Sequence, residues 1–284
     1  MTVHIAASLR DGSEAVIFSD SQASSAVDEY HGEQKLYAGS DFVVGCAGSV
    51  SIIRHLFEVL HATPHVAAGN VANFIEEFLR DEVRPAMHSE LHVLLLTDGG
   101  GNCAAIRQFS PDTFTRFGGR VDFCSIGSGA DFVYRAIGRD SKNGIAHALS
   151  SLTDLILAAE NLAEAANESL TVDDLHLVGL LRHRRSYLMG HRAVPPQFAV
   201  QQLLDPSVWT KVSNEFEQLL ALVKTIRSEV SIAQGTASLI KTSSLQVPNA
   251  QQLLAASHAV GLTRAALQSR IDAYCAWYDA LLGR

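Results

Sequence analysis

The apolar runs HVLLLT (residues 92–97) and HLVGLL (residues 176–181) do not alternate with polar residues. A strand with one face in water alternates at every second position, so runs of this kind belong to sheets covered on both faces. The flanking segments suggest what covers them. Thr2 to Ser8 and Glu14 to Ser19 read as the two strands of a hairpin around Arg10, Asp11, Gly12 and Ser13. Gln34 to Tyr37 and Phe42 to Cys46 read as a second pair about a Gly39-Ser40-Asp41 turn. Two helices are expected next. SVSIIRHLFEVLHA gathers Ile52, Leu56, Val59 and Leu60 on one face, and NVANFIEEFLRDEV gathers Val71, Phe74, Ile75, Phe78 and Leu79, with Asn70 as the expected cap.

The same alternation of strands and helices then repeats. LHVLLLTDGGGNCAAIRQF reads as two strands around a glycine turn, and FCSIGSGADFVYRAIGRD as a strand turning into a helix. SSLTDLILAAENLAEAANES reads as a further helix, and DLHLVGLLRHRRSYLMGH as a hairpin with a basic turn. Antiparallel strands alternating with helix pairs predict a layered α+β fold, with two sheets face to face and a helix pair outside each.

The Val194-Pro195-Pro196 break separates this domain, residues 1–194, from a helical C-terminal extension, residues 195–284. In the extension Trp209, Val212, Phe216, Leu219, Val223, Ile226, Val230, Ala233, Ala237 and Ile240 recur in steps of three and four, the pattern of an a/d seam. Gly235 leaves one helix or two open. After Pro248, AASHAVGLTRAALQSRI has the spacing of a helix-turn-helix, but its bases are only Arg264 and Arg270, against Asp272 and Asp279. Two helices packed around Gly261 are expected there, not a reader of nucleic acid, which needs a basic face.

The net charge of −8 points the same way. No apolar run has the ~18 residues of a membrane span. MTVHIAASLRDG lacks the basic and apolar regions of a signal peptide, so a cytoplasmic protein is expected. Cys46, Cys103, Cys124 and Cys275 form no CxxC pair and read as free thiols. His61 and His65 are separated by Pro64, which removes a shared helical face, and neither a metal nor a cofactor is expected.

The chemistry points to the start of the chain. Methionine before a small residue is commonly removed, which would free the Thr2 amine. An α-amine has a pKa of about 7.7–8.0 and can take the proton of its own hydroxyl, so nucleophile and base share one residue. A nearby lysine would disfavour the protonated amine, a carboxylate would hold that lysine, and a backbone N–H at a glycine turn before a helix would stabilise the oxyanion. Asp20 in SDSQAS, Lys35 in EQKLY, Gly48 in VVGCAGS and Ser128 in SIGSG offer these parts in order.

With these motifs the chain resembles the proteasome-type β subunits, the N-terminal-threonine branch of the Ntn hydrolases. The bacterial HslV-type peptidases and the proteasome-like Anbu group are the nearer comparison. The resemblance covers roughly residues 2–192 and implies a four-layer αββα sandwich. It implies that Thr2 is nucleophile and base, that Asp20 orients Lys35 and Lys35 tunes Thr2. It also implies that the Gly48 N–H forms the oxyanion hole, that Ser128 positions the Thr2 amine or a bound water, and that Ser169, in NESLTVDDL, contacts the Thr2 amine. The activity implied is cleavage of peptide bonds through an acyl-enzyme, in a homo-oligomeric ring that takes peptides or unfolded proteins. A separate ATP-dependent unfoldase would feed it, since the chain has no GxxxxGK[ST] loop. The alternative is an inactive structural subunit that recruits a partner through its C-terminal helices.

Overall fold

The computed structural model describes residues 3–9, 12–20, 23–24, 29–30, 35–63, 68–83, 91–98, 104–110, 123–137, 151–166, 175–190, 206–242 and 247–284. They form two compact units, Met1–Ser213 and Asn214–Arg284. The division falls inside a helix, beyond the Val194-Pro195-Pro196 stretch, which lies outside the described residues.

The first unit is mixed α+β with antiparallel sheets. Strands β1 (Val3–Ser8) and β2 (Glu14–Asp20) form the expected hairpin. Leu9 N–H donates to Glu14 O at 2.9 Å and Gly12 N–H to Leu9 O at 2.8 Å, closing the turn. Gly12 sits at φ 71, which glycine adopts without a Cβ penalty. Two short strands, β3 (Ala23–Ser24) and β4 (Glu29–Tyr30), pair with each other. Then come β5 (Leu36–Ala38), β6 (Phe42–Gly48), helices α1 (Val50–Ala62) and α2 (Ala68–Phe78), and strands β7 (Leu91–Asp98), β8 (Ala104–Phe109) and β9 (Phe123–Gly127). Helices α3 (Ala130–Ile137) and α4 (Leu152–Ala166) precede the hairpin of β10 (Leu175–Arg182) and β11 (Arg185–Gly190).

One sheet has the order β11-β10-β2-β1-β9 and the other β5-β6-β7-β8. Helices α1 and α2 cover the second: Ile53, Leu56, Leu60, Val71, Ile75 and Leu79 pack with Val44, Val93 and Leu95 in one core. Helices α3 and α4 pack on β1, β2 and β9 of the first. The two sheets touch directly, β1 against β6 and β10 against β5 and β6. Both faces of each central strand are therefore covered, which explains why HVLLLT and the described part of HLVGLL are apolar without alternation. Contact between the sheets is close at Gly179, where an added Cβ would lie 2.6 Å from Val43 Cγ1.

One local expectation is corrected. Helix α2 begins at Ala68, so Asn70 lies exposed within its first turn and is not its cap. The helix also ends in a π-helical turn, Leu79–Val83, which brings Leu79 and Val83 into the core.

The second unit joins most of α5 (Pro206–Thr242) to α6 (Val247–Leu282). Phe216, Leu219, Val223 and Ile226 of the seam are buried, as are Leu267, Ile271, Tyr274 and Tyr278 of α6. Arg270 Nη1 donates to Glu215 Oε2 at 2.6 Å and Thr263 Oγ1 to Glu229 Oε1 at 3.1 Å, so the helices run antiparallel. The seam is one helix, continuous through Gly235, and α6 is continuous through Gly261, where a turn was expected. One glycine costs a helix about 1 kcal/mol, too little to break a long cooperative run packed against a partner. Without that turn the helix-turn-helix reading has no basis. Among the described residues no helix is long and apolar enough to cross a membrane.

Candidate active site

Asp20 ends β2 with its side chain fully buried. Its Oδ1 accepts two hydrogen bonds, from Val3 N–H at 3.0 Å and from Lys35 Nζ at 3.1 Å. Lys35 stands immediately before β5 and is 2% exposed, so the ion pair bridges the two sheets out of water. Its main chain is held as well, with Lys35 O accepting from Cys46 N–H at 3.0 Å. Burial pushes the Asp20 carboxyl up to about 6, although the Lys35 charge and the two hydrogen bonds pull it down. Its Oδ2 has no hydrogen-bond partner among the described residues.

Val3 N is the nitrogen of the peptide bond that joins residue 2 to residue 3. The carboxylate therefore lies one peptide unit from Thr2, which itself lies outside the described residues, as does Ser169. Across the sheet Val3 pairs with Gly127, so the end of β9 is the neighbour of the start of β1. Gly127 takes φ 93, a glycine conformation, and turns the chain into Ser128 and then α3. Ser128 is partly buried there. In the facing sheet β6 ends at Gly48, which is exposed at φ 144 directly ahead of the α1 N-cap Ser49. β6 touches both β1 and β9.

Asp20 and Lys35 are thus in direct contact, Ser128 follows the strand end beside Val3, and Gly48 caps the strand facing it. The sequence reading missed His4. Its ring is fully buried, and its Nε2 lies 2.7 Å from Cys46 O. The available signal was a lone ionisable residue in the otherwise apolar and small VHIAAS, two positions after Thr2. A carbonyl only accepts, so Nε2 carries the hydrogen. Burial, reinforced by the Lys35 charge, pushes the imidazole pKa down to about 3 against the pull of the Cys46 bond. The ring is therefore neutral. Among the described residues no three His, Cys, Asp or Glu side chains gather as metal ligands.

No protein-family model matches this chain, and no curated protein matches it.

Proposed function

We propose that this chain is an N-terminal-threonine amidohydrolase of the Ntn type, acting on peptide bonds through an acyl-enzyme. The observation that carries the reading is the shared Asp20 Oδ1, bound at once to Lys35 Nζ and to the backbone nitrogen that follows Thr2. The layering of helix pair, sheet, sheet and helix pair supports it as well.

Once whatever precedes Thr2 is removed, its neutral amine accepts the proton of its own hydroxyl, and Oγ1 attacks the substrate carbonyl carbon. The Gly48 N–H donates to the oxyanion that forms. The Lys35 ammonium disfavours a second positive charge on the amine and stabilises the developing alkoxide, while Asp20 fixes the ammonium in place. Collapse of the intermediate expels the amine of the cleaved bond, which takes the proton. Water then adds to the Thr2 ester and releases the acid. A ring of identical subunits and a separate unfoldase belong to the same proposal, on the resemblance alone.

The test is the intact mass of the full chain with and without a threonine-directed β-lactone, followed by peptide mapping. One adduct on a processed Thr2, absent in Thr2→Ala, is the expected result. A processed Thr2 that takes no adduct overturns the reading in favour of an inactive structural subunit.

A further inference from the structure

His4 does nothing in the acylation steps above, yet it occupies the space between the sheets where an apolar side chain would be cheaper to bury. Three strand ends are tied through it. It belongs to β1, two residues after Thr2. Its Nε2–H donates to Cys46 O on β6, two residues before Gly48. Its own carbonyl accepts from Ser125 Oγ at 2.8 Å on β9, three residues before Ser128. Ser125 is in turn held by α3: its N–H donates to the Tyr134 hydroxyl at 3.0 Å, and that hydroxyl donates to Ser125 O at 3.1 Å. The chain makes room for the ring at Gly45, where a Cβ would stand 3.2 Å from His4 Nδ1 and 3.1 Å from Leu36 Cδ2.

We infer that His4 is a positioning residue of the Thr2 site: its Nε2–H, held on the Cys46 carbonyl, sets the spacing between the strand that leads from Thr2 and the strand that ends in Gly48. This rests on the reading of Thr2 as the nucleophile. The gap matters because the oxyanion donor must sit within hydrogen-bond distance of the atom that Oγ1 attacks, and a misplacement of about 1 Å can cost about 100-fold in rate. A neutral donor suits the role. It spans the sheets without adding a cation beside Lys35, and its bond to Cys46 fixes the tautomer.

The experiment uses the full chain and compares His4→Gln with His4→Asn. The glutamine amide reaches about as far as Nε2 and restores a donor to Cys46 O, whereas the asparagine amide is shorter by one carbon. Each variant is scored for β-lactone inactivation, separating the maximal rate from the half-saturating concentration, and for amide exchange of Cys46 to Gly48. Glutamine is expected to keep the maximal rate within a few-fold. Asparagine is expected to lower it about 10- to 100-fold at an unchanged half-saturating concentration, with faster exchange at those amides. Equal rates in the two folded variants, or a loss carried only by melting temperature, overturn the positioning role and leave the Thr2 reading standing. A wild-type chain that takes no adduct overturns the Thr2 reading, and the positioning role with it.

Discussion

In the sheet unit the Lys35–Asp20 pair is 2% and 0% exposed; in the helical hairpin the Arg270–Glu215 pair is 33% and 21% exposed. Both join one basic and one acidic side chain, at 3.1 Å and 2.6 Å, and solvation is what most separates them. At the hairpin, water shares the charges and the pair adds little to stability. Between the sheets each ion has lost its hydration, and the attraction within the pair does not fully offset that loss. A fold shaped only for stability would fill the space with apolar side chains, as the hairpin does with Phe216, Leu219 and Leu267. The sheet unit keeps a charged pair, a carboxylate oxygen with no hydrogen-bond partner among the described residues, and a buried imidazole. Of these, the charged pair is the part that the proposed acylation uses.

The largest effect should come from splitting the buried pair. Lys35→Met alone leaves the Asp20 carboxylate buried without its counter-ion, with an expected loss of about 3–5 kcal/mol in urea unfolding at pH 8. Arg270→Met in the hairpin should stay within about 1 kcal/mol. The double variant Asp20→Asn/Lys35→Met should recover most of the loss and still take no β-lactone adduct. A Lys35→Met variant as mild as Arg270→Met would erase the contrast between the two units.

The pH dependence sharpens it further. Burial raises the Asp20 carboxyl from 3.8 to about 6 in the fold, so the folded chain binds this proton more tightly than the unfolded chain does. The sign follows from linkage: the stabilising contribution of this one group is complete below about pH 4 and is lost as the pH rises through about 6. Acylation needs the ionised form beside Lys35 and should rise over the same window, so charge at the site is gained at the expense of stability. Rates measured from pH 4.5 to 8 should show a limb near 6 in the wild type, and Asp20→Asn should stay slow across the whole range. A flat wild-type profile would remove Asp20 from the acylation step.

Much of the sheet unit was legible because its signals are local. The hairpin turn at Gly12, the helical spacing from Ile52 to Leu60 and the strand-to-helix turn at Gly127 each specify their own element, and non-alternating runs call for a sheet covered on both faces. The pairing of Asp20 with Lys35 was legible only by resemblance, since no spacing rule brings residues from two different sheets together. His4 was missed for the same reason: its partner is a backbone carbonyl 42 residues away, and a carbonyl leaves no trace in a sequence. The break expected at Gly261 failed because local propensity was weighed without the tertiary partner that holds α6 straight.

The two glycines provide the smallest test and the one with opposite signs. A Cβ at Gly179 would meet Val43 Cγ1 at 2.6 Å, and valine is stiff at χ1, so the sheets themselves must give way. Gly179→Ala should cost about 1–3 kcal/mol. Val43→Ala in the same chain should return part of it, because the clash is with that methyl alone at close range. At Gly261 a Cβ meets nothing within 4 Å, and the backbone is already helical. Gly261→Ala should therefore stabilise the hairpin by about 0.5–1 kcal/mol, by limiting the freedom of the unfolded chain and filling no space that is needed. Urea midpoints that move in opposite directions would separate a unit whose backbone spacing is fixed by close approach from one whose spacing is set by side chains. Midpoints that both fall would mean that the space around Gly261 is used, and that α6 presses on a surface there.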